Sequence, residues 1–196
     1  MFFETKHISR YASVVLMMLV VNHSHINAQF RSTTWGMSSD EVKEVETISN
    51  EMIGELGQTV LVSNAKINGL ETLVGYFFID DKLYKARYMI KENYTNDNQY
   101  VDDYKSISAI LSTKYGYKSI YYDWSDDLYK EDTSKYGFAV SLGHLMLGTN
   151  FEDEVTKIFH LLKGNDYKVS HFIDYSSLEL ISLEKELRRN KIMNDF

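Results

Sequence analysis

Apolar positions along this chain recur at two spacings, and the switches between them mark the elements. Val42, Val45 and Ile48 line one side of a segment whose other side is Asp40, Glu41, Lys43, Glu44 and Glu46, the spacing of an amphipathic helix. Ser38 and Glu41 form a capping box ahead of it, Met37 and Val42 occupy the staple positions, and the helix is expected to end before Gly54 or Gly57. The spacing then changes. Thr59–Lys66 is β-branched and apolar, and Asn68-Gly69 is a two-residue hairpin signal. Leu70–Ile79 continues as a strand, Asp80-Asp81-Lys82 turns it, and Leu83–Lys91 returns with period two. After a polar connector, Asn93–Gln99, helical spacing resumes at Val101, Tyr104, Ile107 and Leu111, with Gly116 as the C-cap. Strands are then expected over Tyr117–Trp124, Tyr136–Leu147, Val155–Leu162 and Tyr167–Tyr175, with an acidic loop at 125–135 and a turn at Gly164-Asn165-Asp166. Ser176 and Glu179 read as a second capping box before a last helix marked by Leu180, Leu183 and Leu187. Arg188, Arg189 and Lys191 suit the negative end of that helix.

The expected fold class is therefore α+β: two helix-plus-antiparallel-meander units packed together, closed by a C-terminal helix. The units span about 36–92 and 98–196 of a single domain covering 29–196.

One apolar run fits neither spacing. Tyr11–Val21 carries eight consecutive apolar residues from Val14 to Val21 and has no polar face. It is shorter than the ~20 residues a membrane span needs. Lys6 and Arg10 precede it, with Glu4 against them, and Ile26-Asn27-Ala28 follows as a cleavage site. Residues 1–28 thus read as a secretory signal peptide. The expected location is periplasmic or secreted, with no membrane span once the signal is cut.

Composition narrows the chemistry. No cysteine occurs among the 196 residues, which removes disulfides, thiolate metal sites, cysteine nucleophiles and lipid attachment through a thiol. Without Lys6, Arg10 and Glu4 the chain keeps 19 basic and 27 acidic residues, a net charge of −8. That balance argues against nucleic acid or an anionic lipid surface as the main partner. Proline is absent, and nothing in the sequence explains this.

His144, His160 and His171 fall on three successive expected strands, where imidazoles could meet at a zinc or copper ion. They lack the close spacing of a ligand pair; His23 and His25 have it but leave with the leader. Asp123, Asp126, Asp127, Glu131 and Asp132 lack the ordered pattern of a calcium loop. Glu152, Asp153 and Glu154 read as a turn rather than a catalytic carboxylate pair. Ser141 and Ser170 have no nucleophile-elbow context, and no glycine-rich phosphate loop is present. No catalytic residue, metal or cofactor is therefore assigned. The aromatics carry more: consecutive Tyr, Phe and Trp in strands must point to both faces. Tyr84, Tyr88, Tyr121 and Tyr122 are the candidates for a ligand surface. Asn93-Tyr94-Thr95 is a glycosylation sequon, relevant only in a eukaryotic secretory route.

Trp35-Gly36-Met37-Ser38-Ser39-Asp40-Glu41-Val42 resembles the opening of small exported bacterial proteins with a β-lactamase-inhibitor-protein-like fold. That group includes small lipoproteins of the outer-membrane barrel-assembly machinery. Lys114-Tyr115-Gly116, Gly143-His144-Leu145 and Ile173-Asp174-Tyr175-Ser176 resemble exported proteins of Bacteroidetes-type bacteria, as does the leader ending Asn27-Ala28-Gln29. The resemblance covers the first helix and extends further only as a pattern. It implies a binding or scaffolding protein of the cell envelope, with a protein or envelope component as partner and no catalytic residues. The chain departs from the lipoproteins in having no lipobox cysteine, and from the inhibitor in lacking its cysteines, so no inhibitory role carries over. The expected function is non-enzymatic binding. The alternatives are a secreted hydrolase whose site is assembled from distant residues, or a metal-binding periplasmic protein. Ligand and oligomeric state are not legible.

Overall fold

A computed structural model describes residues 29–194. The expected leader, residues 1–28 with its apolar run and cleavage site, lies outside the described residues.

The chain opens with a two-stranded ribbon, β1 (Gln29–Phe30) and β2 (Thr33–Thr34), followed by α1 (Ser39–Val45). Then come β3 (Asn50–Ile53), β4 (Thr59–Ile67), β5 (Leu70–Ile79) and β6 (Lys82–Ile90). α2 (Asn98–Tyr115) leads to β7 (Tyr121–Trp124), two 3₁₀ turns and α3 (Tyr136–Leu142). β8 (Leu145–Glu152), β9 (Thr156–Asn165), β10 (Lys168–Ser177) and α4 (Ile181–Asn194) complete the α+β fold.

β3 to β10 form one eight-stranded sheet in the order β3-β4-β5-β6-β10-β9-β8-β7, antiparallel throughout. The order is a mirror image about its centre. Each half is a meander, and the two last strands, β6 and β10, pair to join them. Three hairpins close through two-residue loops: Asn68-Gly69, Asp80-Asp81 and Asp166-Tyr167. All six residues have positive φ, as the type I′ turn requires. Asn, Asp and Gly tolerate that region; Tyr167 adopts it at φ 62°, exposed at the loop tip.

Because strand side chains alternate, the register sorts the sheet into two faces. One face carries α1, α2 and α3. Val42 of α1 packs with Leu61, Val74, Tyr76 and Ala86, while Phe30 meets Tyr76, Tyr88 and Tyr175. α1 has only seven residues, too few to be stable alone. Its capping box is present, its Ser39 N–H donates to Asp81 (2.9 Å), and Val42 is fully buried. α2 turns Val101, Tyr104, Ile107, Ser108 and Leu111 inward, the three- and four-residue steps of a helix seated on a sheet. α3 fills the corner between α2 and β8–β10 with Ala139 and Val140. Trp35 ties the halves together through Nε1–H to Thr156 Oγ1 (3.0 Å).

The elements differ from the sequence reading in several places. Tyr136–Leu142 is a helix, stopped by Gly143 at φ 85°, and the strand starts only at Leu145. α1 ends at Val45, leaving that side chain 43% exposed, and Asn50–Ile53 is an edge strand rather than helix. The strand expected over Tyr117–Trp124 pairs only from Tyr121. Ser176 belongs to β10, so there is no capping box with Glu179; Ser177 Oγ instead accepts the Leu180 N–H (3.2 Å) before α4 begins.

Candidate functional site

The second face of the sheet is covered only at one end. There α4 is anchored by Glu184, which accepts from Lys85 Nζ (3.2 Å) and from Arg188 of its own next turn (2.6 Å). Burial works to raise the Glu184 carboxyl, but the hydrogen bonds from Arg188 and Lys85, with the lysine charge, hold it below its ordinary value. Lys191 also reaches from α4 to the Glu55 carbonyl (2.5 Å).

Away from α4 the face lies open, and the register sets its residues in transverse rows. Leu73, Met89, Phe172, Leu161 and Gly148 stand side by side across β5, β6, β10, β9 and β8, with Tyr121 of β7 beyond them. Leu73, Met89 and Phe172 are half-buried, whereas Leu161 is buried. The adjoining row holds Gly75, Arg87, Asp174, Phe159 and Asn150. Arg87 grips Asp174 with two parallel hydrogen bonds, its NH2 2.7 Å from Oδ2, and its guanidinium stands 4.2 Å from the Phe172 ring centroid. The fork and the ring thus hold each other in place. Between this row and α4 lies a depression of about 410 Å³ bordered by Phe159, Asp174, Ile181 and Arg188. An apolar stripe beside a rigid charged pair and a shallow hollow can seat another surface.

The four candidate tyrosines do not form one surface. Tyr121 lies on the open face, 40% exposed, over Gly148, where a Cβ would stand 2.0 Å from the ring. Gly148 is therefore the residue that lets the tyrosine lie flat. Tyr122 points to the helix-bearing face, 5.9 Å from Tyr136, at the wall of a cleft beside α2. Tyr88 is packed between Phe30 and Tyr175 on that same face. Tyr84 sits at the irregularity where β5 and β6 shift register, fully buried beside Lys85, its hydroxyl without a partner. Burial pushes its phenol well above the usual range. Tyr84 presents no surface to any ligand, because the bulge turns it into the core.

Two of the three histidines do meet. His160 Nε2 and His171 Nε2 are 2.8 Å apart, His160 Nδ1 is 2.9 Å from Ser108 Oγ, and the Tyr104 ring stacks on His160 at 4.0 Å. Burial holds both imidazoles below their ordinary pKa, His171 at about 4, so both are neutral near pH 7. His171 Nδ1 is buried without a partner. A buried bare acceptor costs less than an orphaned N–H. We therefore assign the proton of the His–His bond to His171 Nε2, which makes His160 the donor to Ser108. Ser108 then receives a hydrogen bond rather than surrendering its proton to a base, and the trio reads as a packed polar core.

His144 lies apart, before β8, facing Tyr129. Among the described residues no three His, Cys, Asp or Glu side chains converge as metal ligands. In the acidic loop, Asp126 and Asp132 cap the two 3₁₀ turns through Leu128 N–H (2.8 Å) and Ser134 N–H (3.0 Å). Asp153 closes the β8–β9 turn by accepting from Val155 and Thr156 (3.0 and 2.8 Å), while Glu152 and Glu154 are exposed.

Sequence reasoning missed the open-face row because its members are scattered from residue 73 to residue 172. The alternation within each strand was visible; which strand stands beside which was not. Among the described residues no helix is long and apolar enough to cross a membrane. Comparison with protein-family models, with curated proteins and with solved structures finds no match.

Proposed function

We propose that this protein is an exported, non-enzymatic binding or scaffolding component of the cell envelope, and that it seats a partner protein on the open face of its sheet. The observation that carries the reading is the half-buried row Leu73–Met89–Phe172, continued by buried Leu161 and flanked by the rigid Arg87–Asp174 pair. A contiguous apolar strip with a polar border is the usual form of an interaction surface. Aromatic and Met side chains with Arg beside them are enriched at such surfaces, and an interlocked Arg–Phe pair is ordered before the partner arrives. Export rests on the leader pattern of residues 1–28, and the acidic balance speaks against nucleic acid.

The test is retention of envelope proteins on the immobilised chain in three forms. The native form should hold a defined partner. Met89→Glu/Phe172→Glu, which puts two charges on the strip, should lose it, while Ile110→Glu on the exposed side of α2 should keep it. If the strip variant holds the same proteins as the native form, the sheet face is not the binding surface.

A further inference from the structure

α2 is followed by a stretch that does not join the sheet. Gly116, at φ 84°, turns the chain, and residues 117–120 run without a strand partner until Tyr121 pairs with Gly148. Between this stretch and α2 lies an open cleft of about 580 Å³. That volume is within the range of small-molecule sites.

The walls of the cleft are unlike the rest of the molecule. The chain carries a formal net charge of −7, yet the cleft is bordered by Lys105 on α2 and Lys118 opposite, with no carboxylate in its lining. Neither lysine enters an ion pair among the described residues. Ser112 and Ser119 add hydroxyls. Tyr117, 84% exposed, and Tyr122, 40% exposed, add two phenol rings at the mouth. A tyrosine that is four-fifths exposed contributes almost nothing to the core, so its apolar surface is free for a ligand.

We propose that this cleft binds an acidic oligosaccharide, a chain of sugar rings carrying carboxylate or sulfate groups. The match is chemical. Single negative charges spaced along such a chain suit two separated lysines, sugar hydroxyls suit the serines, and the flat C–H faces of pyranose rings suit exposed tyrosines. A concentrated phosphate charge is served differently, by backbone N–H groups at a helix N-terminus or by an arginine fork. The cleft has neither: it runs along the middle and C-terminal half of α2, and no arginine lines it. This site is on the opposite side of the sheet from the apolar strip, so the two proposals stand or fall separately.

The experiment is a calorimetric titration of the purified protein at low salt with three oligosaccharides of equal length: an oligogalacturonate, a sulfated oligomer and a neutral malto-oligosaccharide. At least one acidic oligomer should bind with a sub-millimolar Kd that weakens as salt rises, and the neutral one should not bind. The acidic oligomer that binds identifies carboxylate or sulfate as the recognised group. Lys105→Ala and Lys118→Ala should each weaken binding roughly fivefold, as exposed ion pairs do. Tyr117→Ala should weaken it by a similar factor, whereas Met89→Glu/Phe172→Glu should leave it unchanged. All three cleft residues are exposed or at the mouth, and unchanged circular dichroism would establish that the variants fold. No binding of either acidic oligomer at millimolar concentration would overturn the proposal. So would equal binding of the neutral oligomer, or full affinity in the combined variant Lys105→Ala/Lys118→Ala.

Discussion

His160 and His171 share one hydrogen bond in a buried space under Tyr104, and among the described residues no carboxylate hydrogen-bonds to either ring. The consequence is a definite dependence on pH. Burial, and for His160 the neighbouring imidazole, keeps both neutral in the fold, whereas in the unfolded chain each takes up a proton near pH 6.5. Their contribution to stability is therefore complete above about pH 6.5 and falls away as pH drops from 6.5 towards 4. For His171 alone the shift from 6.5 to about 4 corresponds to about 3 kcal/mol, at about 1.4 kcal/mol per pH unit. Urea midpoints of the native chain at pH 7, 5.5 and 4.5 should trace that loss. His160→Leu/His171→Leu should flatten the slope whatever its stability at pH 7. Equal slopes would remove the pair as the origin. The residue types were legible in the sequence, and so was their placement on neighbouring strands. That two of them would meet, and that Ser108 from a helix would complete the set, was not, since it depends on a register and a helix docking that no local pattern encodes.

Helix packing puts its tightest demand on Gly137, in the first turn of α3. A Cβ there would stand 2.2 Å from the Asp97 carbonyl carbon and 2.3 Å from the Asn98 N, both backbone atoms at the start of α2. α3 is further stitched to the start of α2 by Asn98 Oδ1, which accepts the Gly137 N–H (2.8 Å), and by Ser141 Oγ, which donates to Asp97 (2.6 Å). Backbone cannot swing aside as a side chain can, so Gly137→Ala should cost about 3 kcal/mol or more, at the upper end of overpacking effects. Gly57→Ala, with open space around its Cβ, should show only the smaller penalty of its positive φ, and the comparison by denaturation separates collision from backbone strain. This same stretch defeated the sequence reading. Tyr136, Phe138 and Val140 alternate with Gly137, Ala139 and Ser141, which is strand spacing with strand residues. Helical geometry wins because the tertiary slot beside α2 accepts Gly137, Ala139, Val140 and Ser141 on one buried surface. Where local chemistry is decisive the reading holds: the Ser38–Glu41 capping box and the Asn68-Gly69 and Asp80-Asp81 turns are all present. β7 is shortened differently: residues 117–120 do not pair with residues 149–152, although β8 continues there beyond Gly148.

At the scale of the molecule, the mirror order of the strands was the least legible feature. Helix followed by meander, twice, could be read along the chain, but such units could stack face to face or join edge to edge. Joining leaves one uninterrupted sheet whose second face is covered by α4 at one end only, and the rest of that face is where the proposed partner is seated. The joint itself is a single strand pair: Phe172, Ile173, Asp174, Tyr175 and Ser176 of β10 lie beside Met89, Tyr88, Arg87, Ala86 and Lys85 of β6, with the Arg87–Asp174 fork at its centre. Tyr88 and Tyr175 then share a cluster with Phe30, so neither half has a complete core without the other. Unfolding should accordingly be a single transition, with coincident curves from tryptophan fluorescence and far-ultraviolet circular dichroism; two separated transitions would show that each half holds itself together. The joint also has a consequence for two copies of the chain. Everything that crosses it can be supplied equally well by another molecule, because only the polar connector 91–97 links β6 to the second half. Refolding from denaturant at high protein concentration should therefore yield a domain-swapped dimer, in which each first half completes its sheet with the other chain's second half. Both joints are kept in that exchange, and each molecule is locked to its twin by the contacts that otherwise close it on itself.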